Sequence, residues 1–345
     1  MNLLVITQKV NKDDPVLGFF HRWILELSRN FEKVSVVCLE KGAVNLPPSI
    51  TIDSLGKEER HSRLLYLCRF FSLIWKRKKE YDAVFVHMNQ EYVLLGGWLW
   101  KLMGKKIYLW RNHQAGNWLT NLAAFFSDKV FCTSKYSYTA RFKKTVLMPV
   151  GIDTDFFAAK PEIVRVPRSI LFLGRIAPVK RPDLLVEALV QLEKAGSSFS
   201  ASIVGDALPA DLDYLNSLKE KAENFGLSSK LVFSKGIAND RAVDVYNAFE
   251  ICVNLSPSGM YDKTMFEAMA CQCLLLASNE NLRGLIDDRF LFEEGNREDL
   301  AAKLLALLNS SPEEKREWGR TLREVVVRGH GLRQLGRRLA EEMKA

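Results

Sequence analysis

Short apolar runs and longer stretches with apolar residues at helical spacing alternate along this chain. Residues 1–7 (with Asn2-Leu3-Leu4-Val5-Ile6), 31–39, 49–55, 82–87, 106–110 and 128–134 read as strands, and another strand starts at Val146. A helix is expected from Gly18 to about residue 30, entered from a polar loop that carries Asp13-Asp14-Pro15, and a second at 60–79. After residue 168 the rhythm repeats. Strands are expected at 169–173, 200–205, 230–233, 249–255 and 273–277, a loop and strand at 279–292, and helices at 181–194, 212–224, 297–308, 312–327 and 332–344. The stretch 158–168, with Pro161 and Pro167, reads as a linker about which domain closure would pivot. This order predicts an α/β protein of two domains, 1–157 and 168–327, followed by a last segment, 328–345.

Two strands of the second half end on glycine with charge beside it. Ile170-Leu171-Phe172-Leu173-Gly174-Arg175 runs on to Lys180, and Ile203-Val204-Gly205 ends on Asp206. A strand, a glycine turn and a helix start together make an anion site, because helix N-termini present unpaired N–H groups and a positive dipole end. With an Arg and a Lys five residues apart at the turn, the anion suggested is a diphosphate. A third piece, Tyr261-Asp262-Lys263-Thr264-Met265-Phe266-Glu267, opens a helix whose apolar side holds a lone glutamate. A buried carboxylate needs partners, so Glu267 is a candidate ligand-binding group.

Composition adds four constraints. At 345 residues, 48% hydrophobic and 26% charged, the chain suits two globular domains. Six scattered cysteines with no CxxC pair read as free thiols of a reducing cytoplasm. The N-terminus has no basic lead or long apolar run, and no stretch reaches the roughly 18–20 apolar residues of a membrane span. The net charge of +8 is uneven: residues 1–155 hold 23 Lys and Arg against 14 Asp and Glu, residues 156–345 hold 26 against 27. The basic half either meets an acidic partner or anionic surface, or carries solvated cations on helix faces. The helix at 60–79 sharpens that choice. Tyr66, Phe70, Phe71 and Trp75 interleave with arginines before Lys76-Arg77-Lys78-Lys79. Such a helix either lies in a membrane interface, with Trp98, Trp100, Lys101, Lys105 and Lys106 joining it, or turns its rings to the core.

Gly174-Arg175…Lys180-x-Pro182-Asp183-Leu184-Leu185-Val186-Glu187-Ala188, then Val204-Gly205-Asp206, then Phe266-Glu267-Ala268-Met269-Ala270, resemble the C-terminal domain of glycosyltransferase family 4. The resemblance implies a GT-B fold, two Rossmann-like domains facing across a cleft, with the last helix crossing back to the first domain. It implies a retaining transferase that moves a sugar from a nucleoside diphosphate to an acceptor hydroxyl, in cell-envelope or surface glycan synthesis. By the same resemblance Arg175 and Lys180 stabilise the leaving diphosphate, and His113 orients the transferred sugar. Gly174, Gly205, Ile237, Asp262, Lys263 and Glu267 form the donor side, Ile237 in the loop that meets the base and Glu267 on the ribose. Gly18 and His87 fall on the acceptor side, and Ser134 reads as a helix cap.

The chain departs from the family pattern in four places. One glycine, Gly18, stands where two are usual, Arg181 replaces a glycine, Tyr261 and Asp262 stand where Phe and Gly are common, and Gly259 stands eight residues before Glu267 where a sugar-binding glutamate is usual. The last substitution opens a second reading, a nucleotide-sugar binder or partner subunit that has lost turnover. Asp211-x-Asp213 and Asp153-x-Asp155 are not placed after strands as a metal-binding pair would be, so neither metal nor cofactor is expected. A dinucleotide fingerprint after a strand and a nucleic-acid-reading module are also missing. The expected partners are a nucleoside-diphosphate sugar and a sugar or lipid-linked acceptor, with the protein cytoplasmic or peripheral at the inner membrane face.

Overall fold

In a computed structural model of the chain, residues 1–14 and 16–345 are described, and Pro15 of the loop before Gly18 lies outside them. The chain divides into two compact units, Met1–Gly151 with Leu332–Ala345, and Ile152–Gly331.

The first unit is built on strands β1 (Asn2–Val10), β2 (Lys33–Lys41), β3 (Thr51–Ser54), β4 (Ala83–His87), β5 (Lys106–Trp110), β6 (Lys129–Cys132) and β7 (Thr145–Leu147). Every pairing is parallel, in the order β3-β2-β1-β4-β5-β6-β7. The middles of the central strands, Leu3–Ile6, Ala83–Val86 and Ile107–Trp110, are apolar and buried because helices cover both faces. Leu3 and Val5 join one cluster with α1 (Phe19–Asn30) and α11 (Leu332–Lys344), through Phe20, Trp23, Leu335 and Leu339. Leu4 and Ile6 join the other with α2 (Arg63–Lys76), α3 (Glu91–Leu102) and α4 (Trp118–Phe126), through Phe70, Trp100 and Ala123. The last helix thus packs on the first sheet. A Cβ on Gly336 would come 2.7 Å from Glu26 Cγ, so the two helices approach closely there, and Tyr108 donates to the Met343 carbonyl at 2.7 Å.

The second unit holds β8 (Val166–Leu173), β9 (Ser200–Val204), β10 (Leu231–Ser234), β11 (Phe249–Asn254) and β12 (Leu274–Ala277), all parallel, in the order β10-β9-β8-β11-β12. Helices α5 (Pro182–Lys194), α6 (Leu212–Asn224) and α9 (Arg297–Asn309) pack together. So do α7 (Ala242–Ala248), α8 (Lys263–Ala270) and α10 (Pro312–Gly329). Right-handed crossovers leaving the centre in opposite directions put these groups on opposite faces. The strand order therefore reverses between β8 and β11, and between β1 and β4 in the first sheet. Open α/β sheets bind ligands at the carboxyl ends of such strand pairs.

Local departures from the sequence reading have physical causes. Helix α2 starts at Arg63 because the Ser62 hydroxyl caps the Leu65 amide, and Arg60 sits at φ 57°. Ser134 caps no α-helix: its hydroxyl accepts from Tyr136 N at 3.0 Å, and only a 3-10 turn, Tyr138–Arg141, follows. Between 279 and 292 the chain forms two 3-10 turns, each capped by its own Asn or Asp, rather than a strand. Five cysteines are buried, whereas Cys68 is exposed on α2.

Candidate active site

The carboxyl ends of β8, β9 and β10 are tied together stepwise. Gly174 N donates to Val204 O, Ile176 N to Asp206 O, and Gly205 N to Ser234 O, each at 3.0 Å. The Asp206 carboxylate then accepts from Gly236 N, also at 3.0 Å. The two glycines of this edge serve different ends. A Cβ on Gly205 would fall 1.8 Å from the Gly174 carbonyl oxygen, so no side chain fits. At Gly174 a Cβ would meet nothing closer than 3.9 Å, and the space over this turn is open. Arg175 projects from the turn, exposed, with no hydrogen bond or ion pair among the described residues.

Lys180 closes the next turn and is not free. Its ammonium lies 3.0 Å from Ser256 Oγ and 2.5 Å from Asp262 Oδ2, linking the end of β8 to the segment after β11. Asp262 is the N-cap of α8, accepting from Thr264 N at 3.3 Å and Ser256 Oγ at 2.9 Å. Burial alone would raise its pKa, but the Lys180 charge and these hydrogen bonds hold it well below the usual carboxylate range. Arg181, where the family has glycine, adopts φ 52°, ψ 37° and pairs with Asp183. That left-handed backbone costs roughly 1 kcal/mol for a residue with a Cβ.

One helical turn past the cap, Glu267 is buried at 4% exposure and accepts from Asn239 Nδ2 at 3.2 Å and Tyr246 OH at 3.3 Å. Burial raises its pKa, against the opposing charge of Lys263. Desolvation in turn lowers Lys263, a half-buried side chain, against the pull of Glu267 and Asp262. Ile237, half-buried, follows Gly236 in the loop that brings Asn239 to this carboxylate. The loop holding Gly259 is tied to the segment that follows β12. Asn279 donates to the Pro257 and Met260 carbonyls, Asn281 donates to Ser258 O, and Tyr261 donates to Asn281 O. His330 lies against Phe266 and Tyr261 at ring distances of 4.5 and 5.8 Å, and burial lowers its pKa to about 4.

Gly174, Arg175, Lys180, Gly205, Ile237, Asp262, Lys263 and Glu267 thus share one edge of the second sheet. Asn239, Tyr246, Ser256 and His330 join them there and carried no signal in the sequence, since each is an isolated polar residue given meaning only by the fold. In the first unit, Gly18 stands at the start of α1 after β1, and His87 is the last residue of the neighbouring strand β4. His87 is sealed, with Nδ1 3.2 Å from Thr7 Oγ1 and its ring stacked on Phe20 at 3.9 Å. Gly18 opens α1, where a Cβ would come 2.5 Å from Asp14 O. His113 is exposed after β5, its Nδ1 accepting from Ala115 N at 2.9 Å. Among the described residues no group of three or more His, Cys, Asp or Glu is placed to hold a metal.

The family model described as glycosyl transferases group 1 matches residues 153–325, half of the chain. The D-inositol 3-phosphate glycosyltransferase of Rhodococcus jostii is 31% identical over 163 residues, a match covering 45% of this chain and 36% of that relative's length. The curated relative is therefore matched over little more than a third of itself. Among solved structures, Anabaena HepE in complex with UDP aligns over 100% of both chains with a TM-score of 0.79 at 17% identity. Sucrose-phosphate synthase from Thermosynechococcus elongatus aligns over 100% of this chain and 98% of its own, with a TM-score of 0.80 at 15% identity. At those identities the likeness concerns the fold, and it is that of GT-B proteins. The chain belongs to the glycosyl transferases group 1 family, and its two parallel sheets have the GT-B fold.

Proposed function

We propose that this protein transfers a sugar from a nucleoside-diphosphate donor to an acceptor hydroxyl with retention at the anomeric carbon, in cell-envelope or surface glycan synthesis. One observation carries the reading: the exposed guanidinium of Arg175 stands on an open glycine turn, at the same sheet edge as the buried carboxylate of Glu267. In this reading the guanidinium faces the diphosphate and Glu267 accepts from the ribose hydroxyls. The bond between the anomeric carbon and the phosphate oxygen breaks while the acceptor oxygen bonds to the same face. The acceptor proton passes to the departing phosphate oxygen. Arg175, helped by Lys180 once the donor draws it from Asp262, offsets the charge growing on that oxygen. His113 orients the sugar, and Gly18 and His87 shape the acceptor side. HepE, of the same fold, has been solved with UDP, which makes UDP the first nucleotide to try.

The acceptor in this reading is a sugar or a lipid-linked acceptor, and the protein is cytoplasmic or peripheral at the inner face of the membrane. The test is release of nucleoside diphosphate from a panel of nucleotide sugars by purified protein, with Arg175→Ala as control. The reading predicts release that depends on Arg175, and release untouched by that substitution contradicts it. Gly259 favours the second reading, a binder without turnover, because glycine offers the sugar only backbone. A protein that binds a nucleotide sugar, releases nothing, and gains release on Gly259→Glu would establish that alternative.

A further inference from the structure

Helices α2, α3 and α4 form one layer over the first sheet, feeding Phe70, Ile74, Trp100 and Ala123 into a shared core. Ring contacts link neighbours in that layer, Phe70 with Trp100 at 5.9 Å and Phe71 with Trp98 at 6.5 Å, and α3 packs directly on α4. Their outer sides are not polar. Leu64, Leu102, Trp118 and Phe125 each expose at least 70% of their surface, and Trp75 and Trp98 about half. Of the fourteen residues of α2, only Phe70 and Ile74 are buried. A layer that leaves large rings and leucines outward on three consecutive helices is not explained by the core beneath it.

Cations border these groups. Lys78 sits 3.6 Å over the Trp75 ring, Lys144 donates to the Phe125 carbonyl at 3.2 Å, and Lys76, Lys79 and Lys143 are exposed nearby in sequence. Residues 60–144, which hold all three helices, contain sixteen Lys and Arg against four Asp and Glu, a net of +12. Apolar side chains flanked by long cationic ones suit a bilayer interface: rings and leucines enter the acyl boundary while ammonium groups meet lipid phosphates. A protein partner of ordinary composition would not call for so one-sided a charge. Among the described residues no helix is long and apolar enough to cross a membrane, so the contact is one of lying on the surface.

We propose that the outer face of α2, α3 and α4 docks the protein on an anionic lipid surface, with Leu102, Trp98 and Phe125 entering the interface. This rests on the exposed residues of the first unit and does not depend on the glycosyl-transfer reading. The test is sedimentation of the full chain with vesicles of phosphatidylcholine alone, or with about 30 mol% phosphatidylglycerol, at low and high salt. Binding is expected only with the anionic vesicles, weakened by salt, with a blue shift of tryptophan emission. The double substitution of exposed side chains Leu102→Ser and Phe125→Ser should weaken it about tenfold or more, because apolar insertion is lost while charge is kept. An unchanged far-ultraviolet spectrum and melting midpoint show that this variant is folded. Three results overturn the proposal: no binding to anionic vesicles, binding that the double substitution leaves intact, or a self-associated protein that the same substitution turns monomeric without affecting vesicles.

Discussion

Arg175 and Lys180 stand five residues apart, yet their surroundings differ sharply. Arg175 is unpartnered among the described residues, whereas Lys180 spends its charge on Asp262. A diphosphate reaching Lys180 has to compete with that carboxylate, so Asp262→Asn should bind UDP about tenfold more tightly in a calorimetric titration. Unchanged or weaker binding would show that the pair does not oppose the anion. The same pair has a pH signature. Because the folded pKa of Asp262 is depressed, its stabilisation is present above the ordinary value of 3.8 and lost as pH falls below it. His330 acts in a higher window. Burial favours its neutral form, so the unfolded chain takes up a proton near 6.5 that the folded protein refuses until about 4. Stability should therefore fall between those values, by up to about 3 kcal/mol. Denaturant titrations of wild type and His330→Asn check this: the variant should show a flatter slope, and an unchanged slope rejects the assignment.

At the scale of elements, the two glycines of the β8–β9 edge separate packing from binding. Gly205→Ala drives a methyl into the Gly174 carbonyl and should cost about 3 kcal/mol in urea unfolding. Gly174→Ala has room, should change stability by less than about 0.5 kcal/mol, and should still weaken UDP binding if the diphosphate lies over that turn. A Gly174→Ala protein that binds UDP as well as wild type would move the anion elsewhere. The strand–glycine pieces were legible in the sequence because an apolar run ending on glycine has few other meanings. The partners of those pieces were not. Asn239, Tyr246 and Ser256 reach the site from other segments, and only the sheet order brings them in. Helix α2 was legible as a basic amphipathic element, but periodicity could not say which rings turn outward: Phe70 is buried, Tyr66 and Phe71 are half-buried, and Trp75 is exposed.

For the molecule as a whole, the sequence gives two α/β halves, and the structure shows two parallel sheets whose strand orders both reverse near the middle. That reversal explains why the quoted motifs matter, since Gly174 and Ser256 follow the two strands at the reversal of the second sheet, while in the first sheet Gly18 follows β1 and His87 ends β4. The uneven charge was visible from counting alone, while its meeting with exposed tryptophan and leucine on three helices needed the fold. The departure at Gly259 leaves turnover as the property on which a transferase and a binder differ. Both readings, however, require the anion to sit at Arg175. Calorimetric titration of UDP into wild type and Arg175→Ala tests that placement directly, because the side chain is exposed and its loss leaves packing intact. With the anion at Arg175, the affinity of the variant should be at least about tenfold weaker, the loss of a charge-assisted contact. Equal affinity in the two proteins would contradict it.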